Sequence, residues 1–190
     1  MNKTYESHLM ENEVVLWEDR PVPFKLLDSV YKNSLLTSWI ICGLVVIAYL
    51  ALYIPYSIAN ELMGSNVIVI SIVIGACVAC AMARPIIDKN NLEKKTTFVL
   101  TNHRALVING TNLKAMFINS DTPCKIVKMD NGASIILMGS AVNTSLKKSR
   151  SNSLMGVLDE NNKSKLSGMV FYSVNNAEKV CDCYAPFKVN

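Results

Sequence analysis

Residues 96–110 read TTFVLTNHRALVING. Phe98 and Leu100 alternate with Val99 and Thr101, the tetrad TNHR interrupts the run, and Ala105–Ile108 resumes it before Asn109-Gly110 supplies a second turn signal. The stretch therefore reads as strand, turn, strand. It holds too many Thr, Asn, Arg and His residues to cross a bilayer, yet it follows the two most apolar stretches of the chain. That juxtaposition sets the fold class: membrane helices first, then a β-rich part.

The chain has 190 residues, 51% of them apolar and 7% aromatic, an apolar share above the soluble average. Between Lys32 and Arg84 the one charged residue is Glu61. Leu35–Pro55, LLTSWIICGLVVIAYLALYIP, meets the requirement of roughly 20 apolar residues for a spanning helix. Leu62–Ala83, with VIVISIVIGACVACAMA at its heart, is a second such segment and stops at Arg84-Pro85. Both lie too far from Met1 for a cleavable signal. Buried helices of a large soluble protein are the competing reading, but the rest of the chain is too short to enclose them.

The link YSIANELMGSN, residues 56–66, carries no Lys or Arg, whereas Arg20, Lys25 and Lys32 precede the first segment and Arg84, Lys89, Lys94 and Lys95 follow the second. The expectation is an integral protein of the cytoplasmic (inner) membrane with two spans and both termini cytoplasmic. The formal net charge of +4 suits anionic head groups. No basic run interleaved with aromatics points to nucleic acid. Cys42, Cys77 and Cys80 fall in the apolar segments and read as small packing residues. Cys124, Cys181 and Cys183 lie in the expected cytoplasmic part, where thiols stay reduced, and Cys181-Asp182-Cys183 lacks the second ligand pair of a zinc site. No metal or cofactor is expected.

Upstream, EVVLWEDRPVPF (Glu13–Phe24) is a short β-like run ending in a Trp, an acidic pair and two prolines. Phe24, Leu27, Tyr31 and Leu35 then recur at helical spacing. Two readings fit: an interfacial helical lead-in with snorkelling lysines, or the solvated first turns of the first span. Downstream, Leu113–Ile118 is a strand candidate. Lys125–Met129 and Ser134–Met138 flank Asp130-Asn131-Gly132, and Asn131-Gly132 predicts a type I′ hairpin turn. Ala141–Leu166 reads as a long polar loop, or as a loop with a weak strand near Leu154–Leu158. Gly168–Val174 is a strand, and Asn175 with Glu178 resembles a capping box opening a final amphipathic helix. Together these describe an α+β membrane protein: segment 1–34, a transmembrane hairpin over 35–87, and a cytoplasmic domain over 93–190 built as a small barrel or sandwich plugged by a helix.

Two motifs resemble the bacterial pleckstrin-homology-like family, in which a transmembrane hairpin commonly precedes a PH-like domain. NEVVLWEDRP, Asn12–Pro21, is similar to that family's Trp-containing entry motif, and FVLTNHRALVI, Phe98–Ile108, to its first hairpin. The resemblance implies a seven-stranded, partly open barrel capped at one end by Asn175–Tyr184. Trp17, Pro21, Thr101, Asn102, Arg104, Asn131 and Gly132 are the structural motif positions. Thr101 and Asn102 are expected to bond nearby backbone in the turn. Arg104 is expected to reach a carboxylate or carbonyl rather than a lipid phosphate.

No catalytic residues emerge. His8 and His103 lack partner sets, and no nucleophile elbow, glycine-rich phosphate loop or metal-binding His-Glu motif is present. No small-molecule substrate is evident. The expectation is a non-catalytic interaction or scaffold module at the inner leaflet, binding protein partners or other copies through open strand edges. The alternative is recognition of anionic lipid by Lys147, Lys148 and Arg150. A transport accessory role has little support, because neither span carries an ionisable residue to mark an ion path.

Overall fold

The computed structural model describes residues 6–60 and 64–184. It divides into two compact units: Tyr31–Ile87, and the residues up to Val30 together with those from Asp88 onward. The segment ahead of the hairpin, read from sequence as a separate stretch, thus belongs with the chain that follows the hairpin.

The helical unit opens with α1 (Lys32–Ala48), passes through a π-helical turn (Tyr49–Tyr53) and ends in α2 (Ile54–Ala59). The wide turn is explained by Pro55. Its ring has no N–H to give and would crowd the carbonyl of Ala51, so the helix loosens one turn earlier and Ile54 N–H bonds the Tyr49 carbonyl, five residues back. That turn stacks the Tyr49 and Tyr53 rings, with centroids 5.4 Å apart. Returning, α3 (Ser65–Lys95) is one helix through Pro85. Lys32–Ala59 and Asn66–Lys95 are each long and apolar enough to cross a membrane, and 6% of the most apolar window of each is buried within the protein.

Among the described residues the β unit contains eight strands in two antiparallel sheets. The first sheet has the order β1 (Val15–Asp19), β2 (Thr96–Thr101), β3 (Arg104–Asn109), β4 (Asn112–Phe117). The second runs β5 (Cys124–Lys128), β6 (Ser134–Gly139), β8 (Leu166–Val174), β7 (Val157–Leu158). This corrects the seven-stranded, partly open barrel: the sheets are separate and not closed. The eighth strand arises because Leu158 and Val157 add an edge pair to β8. Trp17 from β1 and Phe98 from β2 stack on Phe171 of β8 at 5.7 and 4.8 Å, so one face of each sheet meets the other across aromatic rings. The opposite face of the first sheet buries Val99, Leu106 and Ile108 under Leu9, Val15, Leu113 and Ala115. A final helix, α5 (Ala177–Tyr184), contacts β1 of one sheet and β6 of the other.

Three further expectations change. Phe24–Val30 forms no helix, as lead-in or as first turns of α1; α1 begins at Lys32. The Lys25 and Leu26 carbonyls, which a helix would offer to Ser29 and Val30, instead accept from Arg150 at 3.1 and 2.9 Å. Ala141–Leu166 is not one long loop: two 3₁₀ turns lead into α4 (Ser149–Met155), which was not expected, and then β7, which matches the weak strand expected near Leu154–Leu158. The 130–132 turn is not type I′. Gly132 has φ +81° but Asn131 is not among the positive-φ residues, so a negative-φ turn is followed by a left-handed glycine. The Asn131 side chain caps it by accepting from Ala133 N–H at 3.2 Å. The helix start falls at Ala177, with Asn176 at φ +51°. The side chains of Cys181, Cys183 and Tyr184 lie outside the described set.

Candidate interaction surface

Two buried arginines decide how the β unit is assembled. Arg104, 6% exposed, sits at the start of β3 and pairs with Glu13 through two bonds, Nε to Oε1 at 3.0 Å and Nη2 to Oε2. Its Nη2 also donates to the His8 carbonyl at 3.0 Å. The Thr101 hydroxyl donates to Glu13 at 2.6 Å and accepts from Arg104 N–H at 2.9 Å and His103 N–H at 3.2 Å, which tightens the turn. The bonds from Arg104 hold the Glu13 carboxyl well below its ordinary value, at about 2, against burial that pushes it up; Met10 N–H and the Thr101 hydroxyl help. Asn102 departs from the expected local role. Its side chain accepts from Val14 N–H at 2.9 Å and donates to the Asn12 carbonyl at 3.3 Å, and its own N–H bonds the Val14 carbonyl at 3.1 Å. The TNHR turn is thus a socket for residues 8–14.

Arg150 forms the second anchor and corrects the lipid assignment. It is 2% exposed and gives its guanidinium to Asp28 at 2.8 Å, to the Lys25 and Leu26 carbonyls, and to the Tyr172 hydroxyl at 3.3 Å. The Phe24 ring lies 4.8 Å from it, and Tyr172 donates its hydroxyl to Asp28. A head group cannot reach a cation so enclosed. Burial alone would lower the Arg150 guanidinium, but the Tyr172 and Asp28 oxygens outweigh it and leave it above its ordinary value. Burial pushes the Tyr172 phenol up. Lys147 and Lys148, by contrast, are exposed. Residues 8–28, the strap that Arg104 and Arg150 both grip, are also held by Val22 N–H on the Ser173 carbonyl at 2.7 Å, by Ser173 Oγ on the Val22 carbonyl at 2.8 Å, and by Phe24 N–H on Glu93 at 2.9 Å. Pro21, in the same segment just after β1, is buried.

Beyond these anchors the unit offers an edge strand with one open side. β4 ends its sheet. Asn109 faces Asn112 across a two-residue loop whose first residue, Gly110, has φ +60°, and Ile118 N–H bonds the His103 carbonyl at 3.0 Å. In an antiparallel ladder hydrogen-bonded pairs alternate, so the backbone groups of Leu113, Ala115 and Phe117 point away from β3. The Phe117 side chain is 62% exposed at the end of that edge. Next to it lies a cleft of about 310 Å³ lined by Phe117, Pro123, Ser140, Asp159, Lys165 and Ser167 among others. Sequence reasoning missed this edge as a specific site, although Phe117 at the end of an alternating run before a polar link was its signal.

In the helical unit an apolar groove of about 540 Å³ runs beside Val45, Tyr49, Leu52, Tyr53, Tyr56 and Ile70. The Tyr49 hydroxyl bonds Ser71 Oγ within that unit. Cys42, Cys77, Cys80 and Cys124 are free thiols, and among the described residues no cluster of His, Cys, Asp and Glu could hold a metal ion. No family model matches the chain, and neither does any curated protein or solved structure.

Proposed function

We propose that the protein is a membrane-anchored, non-catalytic interaction module of PH-like type, binding protein partners or other copies of itself at the inner leaflet. The observation that carries the reading is the pairing of β1 with β2. One strand precedes the two long apolar helices and the other follows them, yet they share a sheet. If the helices span a bilayer, both flanks lie on one side of it. The Lys and Arg residues flanking the helices and missing from residues 56–66 make that side cytoplasmic. The 6% burial of each apolar window favours lipid over a soluble core as its surroundings. The PH-like assignment draws on two antiparallel sheets with a C-terminal helix touching both. The interaction role draws on the β4 edge, where an extended segment gains backbone hydrogen bonds and covers Phe117.

Purification of the full chain from membranes in mild detergent, with mass spectrometry of what accompanies it, tests the role. A protein or second copy that stays with the wild type and is lost from Phe117→Lys supports it. Recovery of monomer alone, with neither protein nor lipid, overturns it. Anionic lipid recognition is the second reading, now resting on exposed Lys147 and Lys148, which contribute about 1 kcal/mol each near an anionic surface. Retention of anionic lipid that is lost in Lys147→Gln/Lys148→Gln and in about 0.5 M salt selects that reading.

A further inference from the structure

Besides local bonds such as Met10 N–H to Glu13, residues 8–28 are held by long-range contacts from beyond the hairpin. Arg104 and Asn102 take Glu13, Val14 and the His8 carbonyl; β2 pairs with β1; Ser173, Glu93 and Arg150 take Val22, Phe24 and Asp28. The covalent tie between this strap and its acceptor runs through residues 31–87 alone. The last anchor on the strap is Asp28, and a turn at Ser29–Tyr31 separates it from α1.

We propose that the acceptor also takes the strap of a second copy, so that two copies associate by exchanging residues 8–28. The acceptor reads Glu13, Val14, Trp17, Phe24 and Asp28, all of which a neighbour presents identically. Exchange keeps every strap contact, and the change is confined to the turn at Ser29–Tyr31. Copies anchored in one membrane meet at high effective concentration, which reduces the entropic cost of association. The occupant is therefore the segment already shown to fit, supplied in trans. This rests on the self-association branch of the proposed function and names its mode.

The buried Glu13–Arg104 pair allows a test by charge exchange in the full chain. Glu13→Arg and Arg104→Glu each place like charges in contact, and the two changes in one chain restore an opposite pair. Two differently tagged chains, one with each change, restore it only in trans: in an exchanged dimer one acceptor holds Arg104 with Glu13 and the other holds the reversed pair. The expected result is that each variant alone gives little folded protein, whereas co-expression raises the yield several-fold and each tag recovers the other chain in equal amount. Folding of the double variant in one chain, with no rescue between chains, overturns exchange.

A second measurement leaves the pair intact, in case the reversed pair does not fold. Val14 is 58% exposed and its backbone is bonded to Asn102. One tagged copy carries Val14→Cys and the other Asn102→Cys, and membranes holding both are treated with a short thiol crosslinker. A product joining the two tags through those positions is expected. Copies that co-purify without it overturn exchange and leave self-association standing; copies that neither co-purify nor crosslink overturn both.

Discussion

Replacing Arg150 by Met separates an internal anchor from a surface charge. The guanidinium sits 2.8 Å from Asp28, whose side chain is 8% exposed, and it also satisfies two strap carbonyls. Met keeps much of the volume and can fill the space against Phe24 and Tyr172, so the packing loss is small. The main cost is electrostatic. Asp28 is left as a buried carboxylate without its cation, worth about 3–5 kcal/mol when one member of a buried pair is removed. For a unit of this size that lowers Tm by on the order of 10 °C or more. Exposed Lys147 and Lys148 tolerate Ala within about 0.5 kcal/mol. The assay is thermal unfolding of the full chain in detergent, followed by tryptophan emission, since Trp17 stacks on Phe171. Asp28→Asn added to Arg150→Met is expected to recover much of the loss, because no unpaired charge then remains. An Arg150→Met chain as stable as Lys147→Ala, or a double variant as poor as the sum of its singles, would refute the anchor.

Other outcomes follow from the same contacts. Because the folded Glu13 carboxyl is depressed from its ordinary value of 4.5 to about 2, its stabilisation is complete above the unfolded value and fades as pH falls from about 4.5 toward 2. Melting of wild type and Glu13→Gln from pH 7 to 2.5 is expected to converge over that window and not above it. Gly139 has φ +62° and ψ −140°, and a Cβ there would lie 2.2 Å from the Ser167 carbonyl oxygen. Gly139→Ala is therefore expected to cost at least about 2 kcal/mol in denaturant unfolding, whereas Gly75→Ala, with open space around it, changes stability little. Tyr49→Phe removes the bond to Ser71 and is expected to cost about 0.6 kcal/mol, read as a Tm change in detergent. Phe117→Lys is expected to lower Tm slightly, because the Arg104 guanidinium lies 6.0 Å from the Phe117 ring and would gain a cation neighbour, whereas Phe117→Ser brings no charge; on the proposed reading both abolish recovery of a bound protein.

What was legible in the sequence was local. Two uncharged runs of spanning length mark the helices, and alternation around TNHR marks β2 and β3, because each signal lies within one element. The turn at 130–132 was half legible: Asn-Gly announces a reversal, but two-residue and bulged loops both use a left-handed glycine, and the choice rests on how many residues the strands leave between them. Of residues 8–28 the β-like run that becomes β1 was legible, but the path of residues 22–28 was not. Phe24, Leu27, Tyr31 and Leu35 keep helical spacing, and nothing near them says that Arg150, 125 and 124 residues further on, will take the intervening Lys25 and Leu26 carbonyls.

The misreading of Arg150 has the same origin and leads further. Inside SLKKSRSNS a third basic residue looks like more of a solvated run, since burial of an arginine requires a carboxylate, and Asp28 lies 122 residues earlier. Arg104 likewise finds Glu13 at a separation of 91. Both long-range pairs join chain that precedes the apolar helices to chain that follows them. A charge buried in this way is costly until its partner arrives, so the C-terminal strands alone would hold two uncompensated arginines. The β unit can therefore reach its low-energy state only when a strap has docked, whether from the same chain or from a neighbour.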